Sequence, residues 1–279
     1  MNSYPIHLKA LIEREHCDAY QRCNYLTNEW QGKLWRAELE RQTKVGSSGC
    51  LMERFSPRSV VPPSINPVWR EKICTWKYHV VDKIDIEREI VYTSMYYLDR
   101  YLSKSYVDEE LFPLVAATCI YLAIKLHSHK KVSINCIASM GHGMIHPDHI
   151  VAMELSIIRT LDWHLHPPTP MSFIEHSFPL VSGSIDALDF ARYLSELSVF
   201  AAPFICITPS TIAIAANLIA IDHFGLGGET LASFRVLLDS LSLNTDAPDV
   251  IRCSNLLRKL HGLSVSEDSV TSTEKSNCQ

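Results

Sequence analysis

The sequence lacks several motifs that identify common enzyme and metal-protein classes. Its nine cysteines include no CxxC pair, and no P-loop, nucleophile elbow or Rossmann fingerprint is present. Cysteines at scattered positions in apolar segments, such as Cys119, indicate reduced thiols in a cytosolic or nuclear protein. These absences weigh against an enzyme and against a disulfide framework.

The sequence also lacks an excess of basic residues. Lys and Arg number 26, Asp and Glu number 31, and the formal net charge is −5. Proteins that hold nucleic acid through its phosphates use clustered Lys and Arg. We therefore expect no nucleic-acid partner.

No apolar run is long enough without a break to predict a membrane span. Residues 197–221 carry no charge, but Pro203 and Pro209 divide them into two shorter helical segments. Near the N-terminus, charged residues at 13–15 occupy the place where a signal peptide needs an apolar core. We expect no membrane partner.

Helical periodicity is what the sequence does contain. Apolar residues make up 47% of the chain, and no segment alternates as a strand would. The pattern predicts an all-α fold with two five-helix bundles in tandem, separated by the prolines of 167–170, and Asp85 and Asp108 are predicted caps of the second and third helices. The predicted helices are about 67–81, 86–103, 109–126, 133–140 and 147–161, then 171–178, 187–202, 210–223, 229–241 and 247–261.

The same pattern predicts the domain boundaries. Residues 1–65 form an N-terminal extension that is partly helical or disordered, and a proline-rich linker precedes residue 66. The two helical domains cover 66–166 and 167–263. Residues 264–279 have few large apolar groups and are predicted to be disordered.

Two opposite charges stand out in apolar helices. Lys125 ends the third predicted helix, which is apolar nearly all round, and Glu154 lies in the fifth. A lysine in such a setting is costly to desolvate unless an anion meets it. The two residues are therefore interpreted either as a structural ion pair or as a pair that faces a partner protein.

Several short strings occur together in one order and spacing. They are Trp69-Arg-x-x-Ile-x-x-Trp76, Tyr97-Leu-Asp-Arg-Tyr-Leu102, Ala116-Ala117 with Ala123-x-Lys125, Met153-Glu154 with Leu161-x-Trp163, and Thr169-Pro-x-x-Phe-Ile-Glu-His176. Over roughly residues 65–263 the chain resembles the cyclin family. The last string and the acidic start of the second helix are most similar to D-type cyclins.

The resemblance implies a regulatory subunit without an active site or cofactor. Cyclins bind a cyclin-dependent protein serine/threonine kinase as a heterodimer and press on its mobile helix and activation segment, which shifts the kinase toward its active conformation. It further implies control of cell-cycle progression at G1/S, kinase substrates or inhibitors as additional partners, and a location in nucleus and cytoplasm.

The resemblance also assigns roles to particular residues. By position, Lys125 and Glu154 resemble the pair that grips backbone groups of the kinase, while Asp99 and Arg100 match positions with a structural role. The apolar contact around the charged pair would come from Leu126, Ile158, Trp163 and Leu165.

Many cyclins also have a groove for Arg-x-Leu peptides, and this chain departs from it. Lys72 and His79 stand where the family usually has an apolar residue and an acid, so attraction for the peptide's basic residue is lost. The helical spacing of Ile73 and Trp76 is equally typical of core residues. The candidate groove residues are Trp69, Ile73, Trp76 and Phe112.

Other functions stay open as alternatives. One is a transcription-related cyclin, and another is a cyclin-fold adaptor or scaffold that binds a kinase without activating it. A nucleic-acid adaptor on the same tandem fold would need a basic face and usually an N-terminal zinc ribbon, and neither is present. A zinc site is not expected, because glycines break the helix that would align its candidate ligands, Cys136, His142, His146 and His149.

Overall fold

The computed structural model describes residues 4–17, 66–141, 143–178 and 184–263. Every regular element within these ranges is helical, which confirms the predicted all-α fold class. The predicted tail at 264–279 and most of the predicted extension at 1–65 lie outside the described residues. Within that extension the structure places helix α1, Tyr4–Glu15.

The first set of five helices begins after α1. A proline occupies the first or second position of three of them, where its missing N–H costs no intrahelical hydrogen bond. The bounds are α2 (Pro67–Ile84), α3 (Glu89–Lys104), α4 (Phe112–His127), α5 (Ile134–Ser139) and α6 (Pro147–Thr160).

A second set of five helices follows, so the predicted tandem arrangement is also confirmed. Gly262 ends the last of them with a φ of 78°, a conformation that glycine adopts without a steric penalty. The bounds are α7 (Pro170–Ser177), α8 (Ile185–Phe200), α9 (Pro209–His223), α10 (Gly227–Ser240) and α11 (Pro248–His261), with a short 3₁₀ helix, Ala202–Phe204, after α8.

The chain divides into two compact units. Of the described residues, the N-terminal unit contains 10–17, 66–141, 143–169 and 199–206. The C-terminal unit contains 4–9, 170–178, 184–198 and 207–263.

Each unit is built around its long apolar third helix. In α4, Tyr121 alone is only partly buried between Val115 and Ile124, as expected for a helix that is apolar on every face. In α9, Asn217 is a buried polar exception, and its Nδ2 donates to Ser177 Oγ at 2.9 Å. The hydrogen bond compensates for removing that amide from water.

The prediction that Asp85 caps the second helix is wrong. Asp85 instead ends α2 with a left-handed φ of 53°, and its N–H donates to the Asp82 carbonyl at 3.3 Å. Helix α3 begins only at Glu89, after Arg88, which makes no side-chain capping bond. Aspartate tolerates the left-handed region, so one residue can satisfy either pattern in sequence. The prediction that Asp108 caps the third helix is also wrong, because the N-cap of α4 is Leu111, although Asp108 Oδ1 accepts from Leu111 N at 2.8 Å.

No helix in the described ranges combines the length and the apolarity that crossing a bilayer would require.

Candidate partner-binding site

Lys125 and Glu154 meet at the surface of the N-terminal unit. Lys125 lies in the last turn of α4, Glu154 lies midway along α6, and Lys125 Nζ is 2.7 Å from Glu154 Oε1. The Lys125 side chain is 52% exposed and that of Glu154 is 15% exposed. The two predicted residues therefore form an ion pair in which the lysine side chain remains partly exposed to solvent.

The local electrostatics hold Lys125 in its charged form. The hydrogen bond that Lys125 donates to Glu154 raises the pKa of the lysine above its ordinary value, and burial opposes this with a smaller effect. The ammonium also lies 6.0 Å from the centre of the Tyr121 ring. An ammonium has three N–H donors and Glu154 occupies one of them, so this pair can hold an additional acceptor.

Helix α6 presents two apolar stripes, one buried and one largely exposed. Of the exposed stripe, the sequence analysis predicted only Ile158. Ile150, Met153 and Ile157 are buried and form the core stripe. Val151 and Leu155 are 59% and 46% exposed and lie outside that stripe. The spacing of 151, 155 and 158 places these two residues on one helix face with the partly buried Ile158, beside Glu154.

Val151 and Leu155 are therefore contact candidates that the sequence reading missed. The repeat at i, i+4 and i+7, offset from the core repeat, was the available signal. Large apolar side chains next to a charged pair are typical of a protein–protein contact surface. At the end of α4, Leu126 adds a side chain that is 38% exposed.

Trp163 projects from the turn that follows α6. Its side chain is 70% exposed, and Trp163 and the preceding Asp162 have φ values of 61° and 53°. Asp162 Oδ2 is 2.7 Å from Lys104 Nζ, which also donates to the Thr160 carbonyl at 3.0 Å. The structure thus presents the predicted tryptophan on a turn held from α3.

Leu165 belongs to the core, which corrects the expectation that its side chain lies in the apolar contact. Only 6% of it is exposed, and it packs in the buried cluster of the N-terminal unit. Its carbonyl is also engaged inside the protein: Tyr97 Oη donates to it, and His127 Nε2 lies 2.8 Å away.

His127 is therefore part of a buried polar network. Its Nε2 lies near two oxygens, the Leu165 carbonyl and Tyr97 Oη at 2.9 Å, so this nitrogen carries the proton and donates to the carbonyl. Burial lowers the pKa of His127, the bond to the Leu165 carbonyl opposes that effect, and the neighbouring His166 adds to it.

The candidate groove residues contribute mainly to the core. Phe112 is 1% exposed, so it does not form an open wall. Trp69, Ile73 and Trp76 are partly buried against the core cluster, and Trp76 Nε1 donates to the Met140 carbonyl at 3.1 Å. Trp69 packs on Phe112 with ring centres 6.1 Å apart. The packing interpretation of these four residues accounts for their positions.

Asp99 and Arg100 are both buried, and the partner of Asp99 is a residue that the sequence reading missed. Arg70 in α2 makes two parallel bonds to the Asp99 carboxylate, each 2.9 Å long. Its remaining Nη1 donates to the carbonyls of Val199 at 2.7 Å and Phe200 at 3.0 Å. Arg100 Nη1 donates to Tyr96 Oη at 3.1 Å.

Lys77 is a second missed charge. It is fully buried, its Nζ donates to the Ser94 carbonyl at 3.2 Å, and burial lowers its pKa to about 8. The signal lay in the helical spacing, because Arg70, Cys74 and Lys77 at i, i+4 and i+7 share one face of α2. Burial raises the pKa of the neighbouring Cys74 and Cys119 thiols to about 12.

The candidate zinc ligands are not brought together among the residues that the structure describes. His142 lies outside them. His146 and His149 have ring centres 5.7 Å apart, while no group of three or more ligating side chains with metal-site geometry occurs in the described ranges.

Comparison with known families agrees with this architecture. The family profile described as "Cyclin, N-terminal domain" matches residues 50–166, and "Cyclin, C-terminal domain" matches residues 168–277.

Comparison with individual proteins gives similar results. G1/S-specific cyclin-D1 of Xenopus laevis is 30% identical over 206 residues, which are 70% of this chain and 71% of the relative. G2/mitotic-specific cyclin-2 of Saccharomyces cerevisiae is 29% identical over 158 residues, 57% of this chain and 32% of the relative.

Solved structures show the same fold at low sequence identity. A viral cyclin from herpesvirus saimiri has a TM-score of 0.59 at 15% identity and covers 70% of this chain and 87% of its own. A chain of the yeast TFIIK complex has a TM-score of 0.57 at 14% identity and covers 87% of this chain and 99% of its own.

Proposed function

Because the chain belongs to the cyclin family, we propose that it binds and activates a cyclin-dependent protein serine/threonine kinase. We further propose that this kinase acts in cell-cycle progression, at G1/S, in the nucleus and the cytoplasm. The similarity to cyclin-D1 over more than two thirds of both chains supports the G1/S assignment. The chain contributes no catalytic group in this proposal and acts as the regulatory subunit.

The observation that carries the proposal is the half-exposed Lys125–Glu154 pair beside an exposed apolar stripe. The lysine retains donors and the carboxylate retains an acceptor oxygen, so both can hydrogen-bond to backbone groups of a partner helix. The apolar surface of Val151, Leu155 and Ile158 adjoins the pair, and Leu126 and Trp163 are exposed at the ends of the same two helices. Burial of such side chains in an interface is the main source of affinity, and the charged pair sets the register.

Activation follows if this surface binds one kinase conformation better than another. A ligand shifts an equilibrium only by the difference in its affinities for the two states. The rigid, buried helix α4 beneath the surface supports such discrimination, because the contact groups do not have to be ordered on binding.

The test is co-expression with the cyclin-dependent kinases of the same cell, followed by affinity purification and a kinase assay on the eluate. Wild-type protein is expected to retain a kinase and raise its activity. Lys125→Ala and Glu154→Ala are expected to abolish co-purification while leaving the helical circular-dichroism spectrum unchanged. Arg252→Ala, which removes an exposed ion pair with Asp249 in α11, is the matched control.

The outcomes separate the alternatives. Retention of a kinase without activation would favour the scaffold interpretation. Retention of a kinase that phosphorylates transcription machinery would favour a transcription-related cyclin. Equal kinase retention by wild type and both variants would overturn the assigned site.

A further inference from the structure

The turn after α6 has an unfavourable backbone conformation at the place where it exposes its largest apolar side chain. Asp162 and Trp163, two consecutive residues with a Cβ, have φ values of 53° and 61°. Residues other than glycine rarely adopt this left-handed backbone conformation, and two such residues in succession are rarer. Trp163 is 70% exposed, so packing of its own ring does not hold it there.

Backbone hydrogen bonds account for part of this geometry. The Asp162 N–H donates to the Arg159 carbonyl at 3.1 Å, and the Trp163 N–H donates to the Ile158 carbonyl at 3.2 Å. These bonds close the end of α6, as at many helix termini. Downstream, the Leu165 carbonyl is fixed by Tyr97 and His127.

Lys104 adds a connection from a different helix. Its Nζ donates to the Thr160 carbonyl at 3.0 Å and lies 2.7 Å from Asp162 Oδ2. It therefore bonds the chain on the α6 side of Trp163 at two points, one backbone and one side chain. A cation at a helix C-terminus is also favoured by the helix dipole.

We infer that Lys104 and Asp162 form a clamp that sets the direction of Trp163 for binding a protein kinase. Lys104 is a positioning residue, because it acts through the turn and not by contact with the partner. The inference rests on the proposed function, since it takes the kinase as the protein that Trp163 meets. Its physical basis is pre-organisation: a rigid aromatic side chain held in its bound orientation loses less entropy on docking.

The exposure of the clamp points to this role. The Lys104 and Asp162 side chains are 39% and 62% exposed. Ion pairs this open to solvent contribute little to folding. The same pair can still fix the orientation of the adjacent turn, because the left-handed φ values of Asp162 and Trp163 are well separated from the regions that residues with a Cβ prefer.

The first experiment measures kinase affinity in a double-mutant cycle. Lys104→Gln is expected to weaken kinase binding roughly threefold to tenfold, whether the change appears in the dissociation rate or in the association rate. In a Trp163→Ala background, Lys104→Gln is expected to have no further effect. An equal loss in both backgrounds, or no loss in either, would overturn the clamp.

A second experiment needs no kinase. The protein is labelled with 5-fluorotryptophan, and the Trp163 signal is assigned by its loss in Trp163→Phe. Lys104→Gln and Asp162→Ala are expected to shift or broaden that fluorine NMR signal and to leave the thermal midpoint nearly unchanged. Lys130→Gln is the matched control, because Lys130 also donates to a carbonyl at a helix end, that of Ile84 at 2.5 Å.

Asp162→Gly removes both the ion pair and the backbone restriction at residue 162. Glycine accepts a positive φ, so the backbone is relieved while the ion pair is lost. The Trp163 signal is expected to broaden in this variant because the turn gains freedom.

The two failures are distinguishable. If wild-type protein retained no kinase, the proposed function would fail while the fluorine signal still reported on the clamp. An unshifted Trp163 signal in Lys104→Gln, together with normal kinase retention, would overturn the clamp and leave the proposed function standing.

Discussion

Two of the cation–carboxylate pairs in the N-terminal unit have contrasting surroundings. In the Arg70–Asp99 pair the side chains are 3% and 1% exposed, whereas in the Lys125–Glu154 pair they are 52% and 15% exposed. Arg70 uses its guanidinium on Asp99 and two backbone carbonyls, all within this unit. Lys125 forms its ion pair and still presents donors to solvent.

The difference shows that the same type of ion pair can have a structural role or a binding role. A buried pair is tolerated only when its hydrogen-bonding groups are satisfied inside the protein, so it has little left to offer a partner. A half-exposed pair adds little to folding but keeps groups available for docking. Arg70–Asp99 therefore belongs to the fold, and Lys125–Glu154 is the candidate for recognition.

The largest effect is expected from breaking the buried pair. Arg70→Ala leaves the Asp99 carboxylate buried without its cation and is expected to lower the free energy of unfolding by about 3–5 kcal/mol. Lys125→Ala is expected to lower it by less than about 1 kcal/mol. Urea unfolding followed by circular dichroism measures both, and equal losses would contradict the contrast.

Arg70→Lys provides a milder version if Arg70→Ala does not fold. Lysine keeps the charge but cannot make the two parallel bonds to Asp99. An unfolding free energy between those of wild type and Arg70→Ala is expected.

Lys77 sharpens the comparison, because it is a buried cation whose ammonium donates to the Ser94 backbone carbonyl and not to a carboxylate. Lys77→Met is expected to raise the free energy of unfolding at neutral pH by about 1–3 kcal/mol, since an apolar side chain of similar length avoids the desolvation cost. Destabilisation by this substitution would show that the ammonium has a favourable role in the core.

The pH dependence of wild type tests the same residue. The pKa of Lys77 is lowered to about 8, so between that value and 10.5 the unfolded chain holds this lysine's proton more firmly, and the contribution of Lys77 to stability rises with pH. Above 9 the buried thiols, with pKa values raised to about 12, keep protons that the unfolded chain loses, and stability falls again. The rise between about pH 8 and 9 is expected to disappear in Lys77→Met.

The smallest effect is expected at His127, which lies just beyond Lys125. Burial lowers its pKa below 6.5, so as pH falls through 6.5 the unfolded chain gains a proton that the folded chain resists. Stability is therefore expected to fall below that pH, and His127→Gln should reduce the slope. The groups around the His127 ring are Tyr97, His166 and the Leu165 carbonyl. Urea midpoints of wild type and His127→Gln at a series of pH values measure the difference in slope.

Helix positions were predictable from sequence because their signals are local. Apolar spacing and N-terminal prolines placed α2, α4 and α6 within a few residues of their observed bounds. Helix ends were less predictable, as Asp85 shows, because the same side chain suits an N-cap and a left-handed terminus.

Contacts between distant residues were harder to predict. Lys125 and Glu154 were considered together because Lys125 ends an apolar helix and Glu154 lies midway along a mostly apolar one, and the structure joins them in an ion pair. Arg70 and Asp99 are also 29 residues apart, and they were not paired because Arg70 lies in a helix with several other charged residues. Leu165 was expected at the surface, although its side chain is buried.

The order of residues alone determined that this chain forms two sets of amphipathic and fully apolar helices, because the 3.6-residue period and the proline breaks are written into neighbouring positions. Only the folded arrangement decided which cations are buried and which stay at the surface. Exposure depends on what each helix face packs against, and that is set by residues far away in the chain.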